Sequence, residues 1–244
     1  MRALLPGPVD DVDVHAYYAA GWTDRGGVRV NFVASIDGAA HANGVSRGLQ
    51  TEGDNQVFAA LRDLADVVLV GSGTATAEGY GAVTVSARRR EIRRAHGLRE
   101  VLPIAVLSRS LDLDPDAPLF TEAGPDSRTI VLTHAAADPE KRRLLKQVAD
   151  VVDCGDESIE PTLVRPVLEE RGLTRILAEG GPTVYADLAE HGVVDELCLT
   201  ISPLLAGPGP GRITAGREWG APRHLALVGL LEEDGALFCR YRSS

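Results

Sequence analysis

An α/β fold, with a mostly parallel central sheet, helices on both faces and an antiparallel hairpin near its end, is what this chain predicts, and three observations carry the prediction. Short apolar, β-branched runs alternate with stretches of helical periodicity through most of the 244 residues, the rhythm of successive β-α-β units. Two of these runs, at residues 65–70 and 175–178, empty into glycine-rich loops from which helical patterns start. Near the C-terminus the rhythm changes, and two strand-like runs flank Asp234-Gly235, a dipeptide favoured in tight hairpin turns.

The elements follow in order. Residues 1–27 open with Pro6, Gly7 and Pro8 and carry acidic and aromatic residues from Val9 to Trp22. This reads as an arm with a short helix, packed on a main body. Residues 28–244 read as one domain, because no repeat or long linker divides them. Residues 28–34 alternate apolar and polar side chains as a strand does, then stop at Ser35-Ile36-Asp37-Gly38, where Asp37-Gly38 marks a turn. Beyond a polar loop through Asn43 and Gly44, Val57, Phe58, Leu61 and Leu64 fall at helical spacing. Asp54 stands where the cap of that helix is wanted. Next come the strand at 65–70, a basic helix at 87–95, strands at 102–107, 129–133 and 150–153, helices at 139–148 and 161–171, and the strand at 175–178. Residues 194–202 make another strand, a Pro/Gly loop surrounds Gly209, and 224–231 with 236–241 form a hairpin expected to cap the sheet edge.

Composition narrows the function classes. Hydrophobic residues at 44% and charged residues at 25% are ordinary for a globular protein. No apolar run is long enough to span a bilayer, and the first residues lack the core of a secretory signal; the cytoplasm is the expected compartment. A formal charge of -10 argues against nucleic-acid and anionic-membrane partners, which need a basic footprint. Cys154, Cys198 and Cys239 are isolated and read as buried thiols. The histidines are scattered, with no zinc-hydrolase or zinc-deaminase spacing, so no metal site is expected.

Strands ending in polar loops on one edge of a parallel sheet make a ligand crevice. Here that edge collects Ser35 and Asp37, Gly71-Ser72-Gly73-Thr74, Ser108-Arg109 and Glu179-Gly180-Gly181-Pro182-Thr183. Glycines allow close approach, and helix N-termini attract phosphate. Two such loops suit the two ends of one dinucleotide. Ser108 and Arg109 are placed to meet a terminal phosphate, or simply to form a solvated turn. Asp37 binds a polar substrate group or serves only its turn. Asp54 handles a proton or caps its helix. Arg88-Arg89-Arg90 reads as a solvated helix face. Glu179, a carboxylate between an apolar strand and two glycines, points to the crevice and is, with Asp54, a candidate catalytic residue.

At these residues the chain resembles the reductase domain of the bifunctional riboflavin-biosynthesis deaminase/reductase, within the dihydrofolate-reductase-like superfamily. The resemblance runs from about residue 28 to the C-terminus. It rests on Ala34-Ser35-Ile36-Asp37-Gly38, Arg62, the segment 65–74, Glu179-Gly180-Gly181-Pro182-Thr183, Val194-Asp195-Glu196-Leu197 and Pro203-Leu204-Leu205-Ala206-Gly207. It implies a three-layer α/β/α fold and an NADPH-dependent reductase acting on 5-amino-6-(5-phosphoribosylamino)uracil, whose ribosylamino group becomes ribitylamino. By the same resemblance Val33, Thr74, Glu78, Ser108 and the loop from Gly181 through Val184 to Asp187 contact the cofactor. Ser46, Arg62 and Glu179 face the substrate, and homodimers are expected. The chain has no deaminase half. The family's arginine after the first glycine loop has no match in residues 79–85, and the aromatic residue expected after Ser46 is replaced by Gly48-Leu49. Two other readings stay open: a pterin reductase of the same fold in which Asp54 meets the amidine edge, and a nucleotide-binding protein without catalysis.

Overall fold

A computed structural model describes residues 1–22, 24–42 and 44–243; Asn43, from the polar loop, lies outside them. Among the described residues the strands are β1 (Arg2–Leu5), β2 (Gly27–Ser35), β3 (Val67–Gly71), β4 (Ile104–Leu107), β5 (Ile130–Thr133), β6 (Asp150–Asp153), β7 (Arg175–Ala178), β8 (Glu196–Ser202), β9 (Leu225–Glu233) and β10 (Ala236–Ser243). The helices are α1 (Val14–Ala19), α2 (Glu52–Leu64), α3 (Ser72–Ala77), α4 (Ala87–Ala95), α5 (Pro118–Thr121), α6 (Pro139–Leu145), α7 (Pro161–Glu169) and α8 (Pro182–Glu190).

The period-two alternation of a strand sorts its side chains between two faces, and β3 shows the result. Val67 and Leu69 enter one core and Val68 and Val70 the other. Val57, Leu61 and Leu64 of α2 close the second core, while Val164 and Leu168 of α7 and Tyr185 and Leu188 of α8 close the first. A strand covered on both faces has no polar side, which is why β3 is an unbroken apolar run.

The sheet order is β1-β9-β10-β8-β2-β7-β3-β4-β5-β6. Pairing is parallel from β8 through β6 and antiparallel among β1, β9, β10 and β8. The hairpin β9–β10 forms as the sequence suggests, but it does not end the sheet. β1, from the N-terminal residues, pairs with β9 and takes the edge. The three cysteines are buried, free thiols. No helix of the described residues is long and apolar enough to cross a membrane.

The start of α2 also differs from expectation. Thr51 is the cap: its side chain accepts the Asp54 N–H at 3.1 Å. Asp54 therefore sits inside the first turn, where its charge suits the helix dipole and its side chain is released from capping. At the other end Arg93 of α4 donates to the carbonyls of Arg62 at 3.1 Å and Ala65 at 2.8 Å, satisfying groups a helix terminus leaves open.

Candidate functional site

Four neighbouring parallel strands, β2, β7, β3 and β4, end on the same side of the sheet. Gly71 leaves β3 and caps α3; Gly181 follows β7 and caps α8, with Pro182 at the first helical position, where its missing N–H leaves nothing unpaired. The two loops are joined. Gly71 N–H donates to the Gly180 carbonyl at 2.9 Å, and Glu179 N–H to the Leu69 carbonyl at 2.9 Å. A Cβ on Gly71 would lie 2.8 Å from Val184 Cγ2, and one on Gly181 would strike Thr74 Oγ1, so glycine is what allows the two helix starts to meet.

Together they wall a cavity of about 530 Å³ that includes Gly71, Ser72, Gly73, Thr74, Gly181, Pro182, Thr183 and Val184. The first amides of a helix have no partner within it and carry the positive end of its dipole, so this lobe favours an anion. Arg109 lines it, exposed and without a carboxylate partner among the described residues. Ser108 does not. It is buried, its Oγ lacks a partner, and it stands behind the wall, because the alternation of β4 continues one residue past the strand. Ser158, on the loop after β6, and Asp187 of α8 also reach the lobe. Sequence reasoning missed Ser158, although a polar loop after a parallel strand is a signal of the same kind.

A second cavity of about 510 Å³ shares Gly73, Thr74, Gly181 and Pro182 with the first, so the two are lobes of one cleft. Gly180, Val33, Ser46, Glu78, Arg62 and Glu179 line it. Glu179 is buried, and its oxygens accept from Arg62 Nε and Nη2, both at 2.7 Å, and from Tyr80 OH at 2.9 Å. The Arg62 guanidinium also stacks 4.3 Å from the Phe58 ring. Burial alone would lower its pKa, but Glu179 outweighs burial and raises it. Burial and the Glu179 charge push the Tyr80 phenol up. These three groups form a fixed, neutralised unit. Ser46 N–H donates to Glu78 Oε1 at 2.9 Å, tying the 3-10 turn Ser46–Leu49 to the end of α3.

Asp54 lines this lobe from α2, with 4% of its surface exposed and Oδ1 unpartnered. Burial raises its carboxyl pKa, opposed by a hydrogen bond from Thr200. Asp37 is elsewhere. Its carboxylate accepts from Ser35 Oγ and from the N–H groups of Ala206 at 3.1 Å and Gly207 at 2.8 Å, contacts that hold its pKa at about 2. It lines neither lobe. These contacts clamp the turn after β2 to the loop after β8. Arg88 and Arg90 are exposed, and Arg89 pairs with Asp63. Tyr80, Phe58, Asn31 and His41 also line the second lobe; only long-range packing brings them there, and no local pattern announces them.

Comparison with known proteins agrees with this architecture. The family model described as the RibD C-terminal domain matches residues 27–231. A reductase from Archaeoglobus fulgidus named for 2,5-diamino-6-ribosylamino-4(3H)-pyrimidinone 5′-phosphate is 31% identical over 182 residues, 74% of this chain and 81% of the relative. A reductase of the same name from Methanothermobacter thermautotrophicus is 26% identical over 180 residues, 74% of this chain and 79% of its own. The solved structure of a pyrimidine reductase-like protein from Corynebacterium diphtheriae superposes with a TM-score of 0.85 at 26% identity, covering 96% of this chain and 99% of that one. With its joined glycine loops on a parallel sheet and a family match over most of its length, the chain belongs to the RibD C-terminal domain family.

Proposed function

We propose that the first lobe holds NADPH, that the second holds a ribosylaminopyrimidine 5′-phosphate, and that the chain is the reductase of riboflavin biosynthesis that turns the ribosylamino group into ribitylamino. The observation that carries this reading is the shared wall. Gly73, Thr74, Gly181 and Pro182 border both lobes, so a cofactor held in the first would adjoin the occupant of the second.

The residues present fit the dinucleotide. Two helix starts offer amides to its pyrophosphate, open space faces Gly73, and Arg109 offers a guanidinium to the additional phosphate that distinguishes NADPH from NADH. Bound NADPH supplies a hydride. The chain aligns donor and acceptor and excludes water. Reduction adds the hydride to the anomeric carbon and a proton to the ring oxygen as the bond between them opens. Glu179 acts as a positioning residue, fixing Arg62 and Tyr80 as a wall against the substrate. Arg47 lines the second lobe, exposed and without a carboxylate partner among the described residues. It is the cation left for the substrate phosphate where the expected arginine is missing.

The test is consumption of NADPH, followed by nicotinamide absorbance, with the ribosylaminopyrimidine phosphate or with dihydrofolate. Turnover of the first alone is expected, with NADH slower by about tenfold or more, the worth of a charged hydrogen bond. Turnover of dihydrofolate alone would replace the substrate assignment, and none with either would overturn the reductase reading.

A further inference from the structure

We infer that Glu78 is a positioning residue for the substrate phosphate: from the end of α3 it caps the turn that carries Arg47, and so holds the Arg47 guanidinium at the second lobe. The inference rests on the substrate reading above and adds to it the group that sets the phosphate-binding turn.

The turn cannot hold its own start. Ser46–Leu49 is one turn of 3-10 helix, and the residue before it, Val45, is extended at φ −128° and ψ 151° with no side-chain cap. The first N–H groups of a helical turn lack partners within it, and a neighbouring Ser, Thr, Asp or Asn ordinarily supplies one. Valine has no acceptor to offer. Glu78 supplies it from 32 residues away, its Oε1 accepting the Ser46 N–H at 2.9 Å, and a charged acceptor makes the stronger bond. The far end is held differently. Leu49 is buried, with 1% of its surface exposed, and the Ala42 and Val45 backbones exchange bonds of 3.0 and 3.3 Å ahead of the turn.

Glu78 is itself fixed. It ends α3, and the chain leaves through Gly79 at φ +66°, a conformation that favours glycine. Gly79 N–H donates to the Thr76 carbonyl at 3.3 Å and Tyr80 N–H to the Ala75 carbonyl at 2.9 Å, the paired bonds of a Schellman stop. One stop therefore aims two groups. Glu78 accepts from the Arg47 turn, and Tyr80 OH donates to Glu179 at 2.9 Å.

Arg47 makes this geometry matter for the substrate. It lines the second lobe with Glu78 and is exposed, and no carboxylate pairs with it among the described residues. A long, unpaired side chain keeps its rotamer freedom, so its reach depends on where the backbone sets its Cα. Glu78 gives an oxygen to the Ser46 N–H rather than to the Arg47 guanidinium, which leaves the cation for a phosphate. Without the cap only the far end of the turn is tied, and the phosphate has to order the rest on binding, at a cost in affinity. Glu78 lines the second lobe and not the first, so this role leaves the dinucleotide untouched.

The test compares the ribosylaminopyrimidine 5′-phosphate with the same compound lacking its phosphate. NADPH turnover is measured with each, and each is titrated calorimetrically into protein saturated with NADP⁺. Glu78→Ala should raise KM for the phosphate compound about tenfold, while kcat and the KM of the other compound stay within about twofold. NADPH affinity and a cooperative melt should be unchanged. Glu78→Gln keeps an oxygen for the Ser46 N–H and should recover most of the loss. If Glu78→Ala does not fold, Ser46→Pro removes the same N–H, with Ser46→Ala as the control for the hydroxyl. Val45 is already extended, as proline favours in the residue before it, and the first position of a helical turn accepts proline. The same rise, confined to the phosphate compound, is expected. An equal rise with both compounds, weaker NADPH binding, or no recovery in Glu78→Gln would overturn the inference. If neither compound is turned over, the reductase reading fails, and the titrations decide this inference separately. Phosphate-compound binding about tenfold weaker in Glu78→Ala and recovered in Glu78→Gln supports it; equal or absent binding overturns it.

Discussion

Glu179 is a buried carboxylate at the end of an apolar strand, a position that would be costly for an unpaired charge. It is tolerated because Arg62 meets it with two bonds of 2.7 Å and Tyr80 adds a third at 2.9 Å. Removing the phenol leaves the ion pair but frees the Arg62 end of the wall. Tyr80→Phe should therefore lower kcat/KM about tenfold, chiefly by raising KM for the pyrimidine, while NADPH affinity holds. Steady-state kinetics in both substrates checks the split; an equal loss in NADPH binding would show that the wall serves the first lobe. Glu179 and Arg62 were legible as site residues, the one from its place between strand and glycines, the other through the family resemblance. Tyr80 was not, since only the path of the chain after α3 brings it to a residue 99 positions away. For Asp54 the signal was present but ambiguous. Thr51 stands three residues ahead, as a capping residue does, and giving the cap to Thr51 frees Asp54 for the lobe.

At the scale of elements, β3, β4 and β5 were readable because each is a largely apolar run buried on both faces. β1 escaped because four residues before a proline carry little periodicity, and its partner β9 lies at the other end of the chain. The place of the hairpin within the sheet likewise depends on pairing that no local pattern records. What fastens these elements is a buried ion cluster. Glu196 of β8 accepts from Arg240 of β10 at 2.8 Å and lies 3.1 Å from Arg29 of β2, and Arg29 stacks 4.5 Å from Trp22. Burial pushes the Glu196 carboxyl up, but Arg240 and Arg29 outweigh it and the pKa falls below the ordinary value. A carboxyl depressed in the fold adds stability above its unfolded pKa of about 4.3 and loses it as pH drops through the folded value. Glu196→Gln should then cost about 3–5 kcal/mol near neutrality by stranding two buried arginines, and the gap from wild type should narrow below about pH 4. Urea unfolding at neutral and acid pH measures it, and equal stability at neutral pH would show that the cluster fastens nothing.

In the molecule as a whole, two glycine loops more than a hundred positions apart in the chain form one joined wall. Parallel pairing of β3 with β7 makes their exits neighbours, and the Gly71–Gly180 hydrogen bond holds them together. The most direct measurement is a fluorescence titration of NADPH into wild type and into one variant of each loop. In Gly73→Val the new side chain meets no atom within 4 Å of its Cβ and enters only the cleft; in Thr183→Trp an exposed residue of the lobe is enlarged. One nucleotide per chain is expected, with affinity lowered at least about tenfold, or about 1.4 kcal/mol, in each variant and melting unchanged. Wild-type affinity in either folded variant, or two independent nucleotides per chain, would contradict the shared grip.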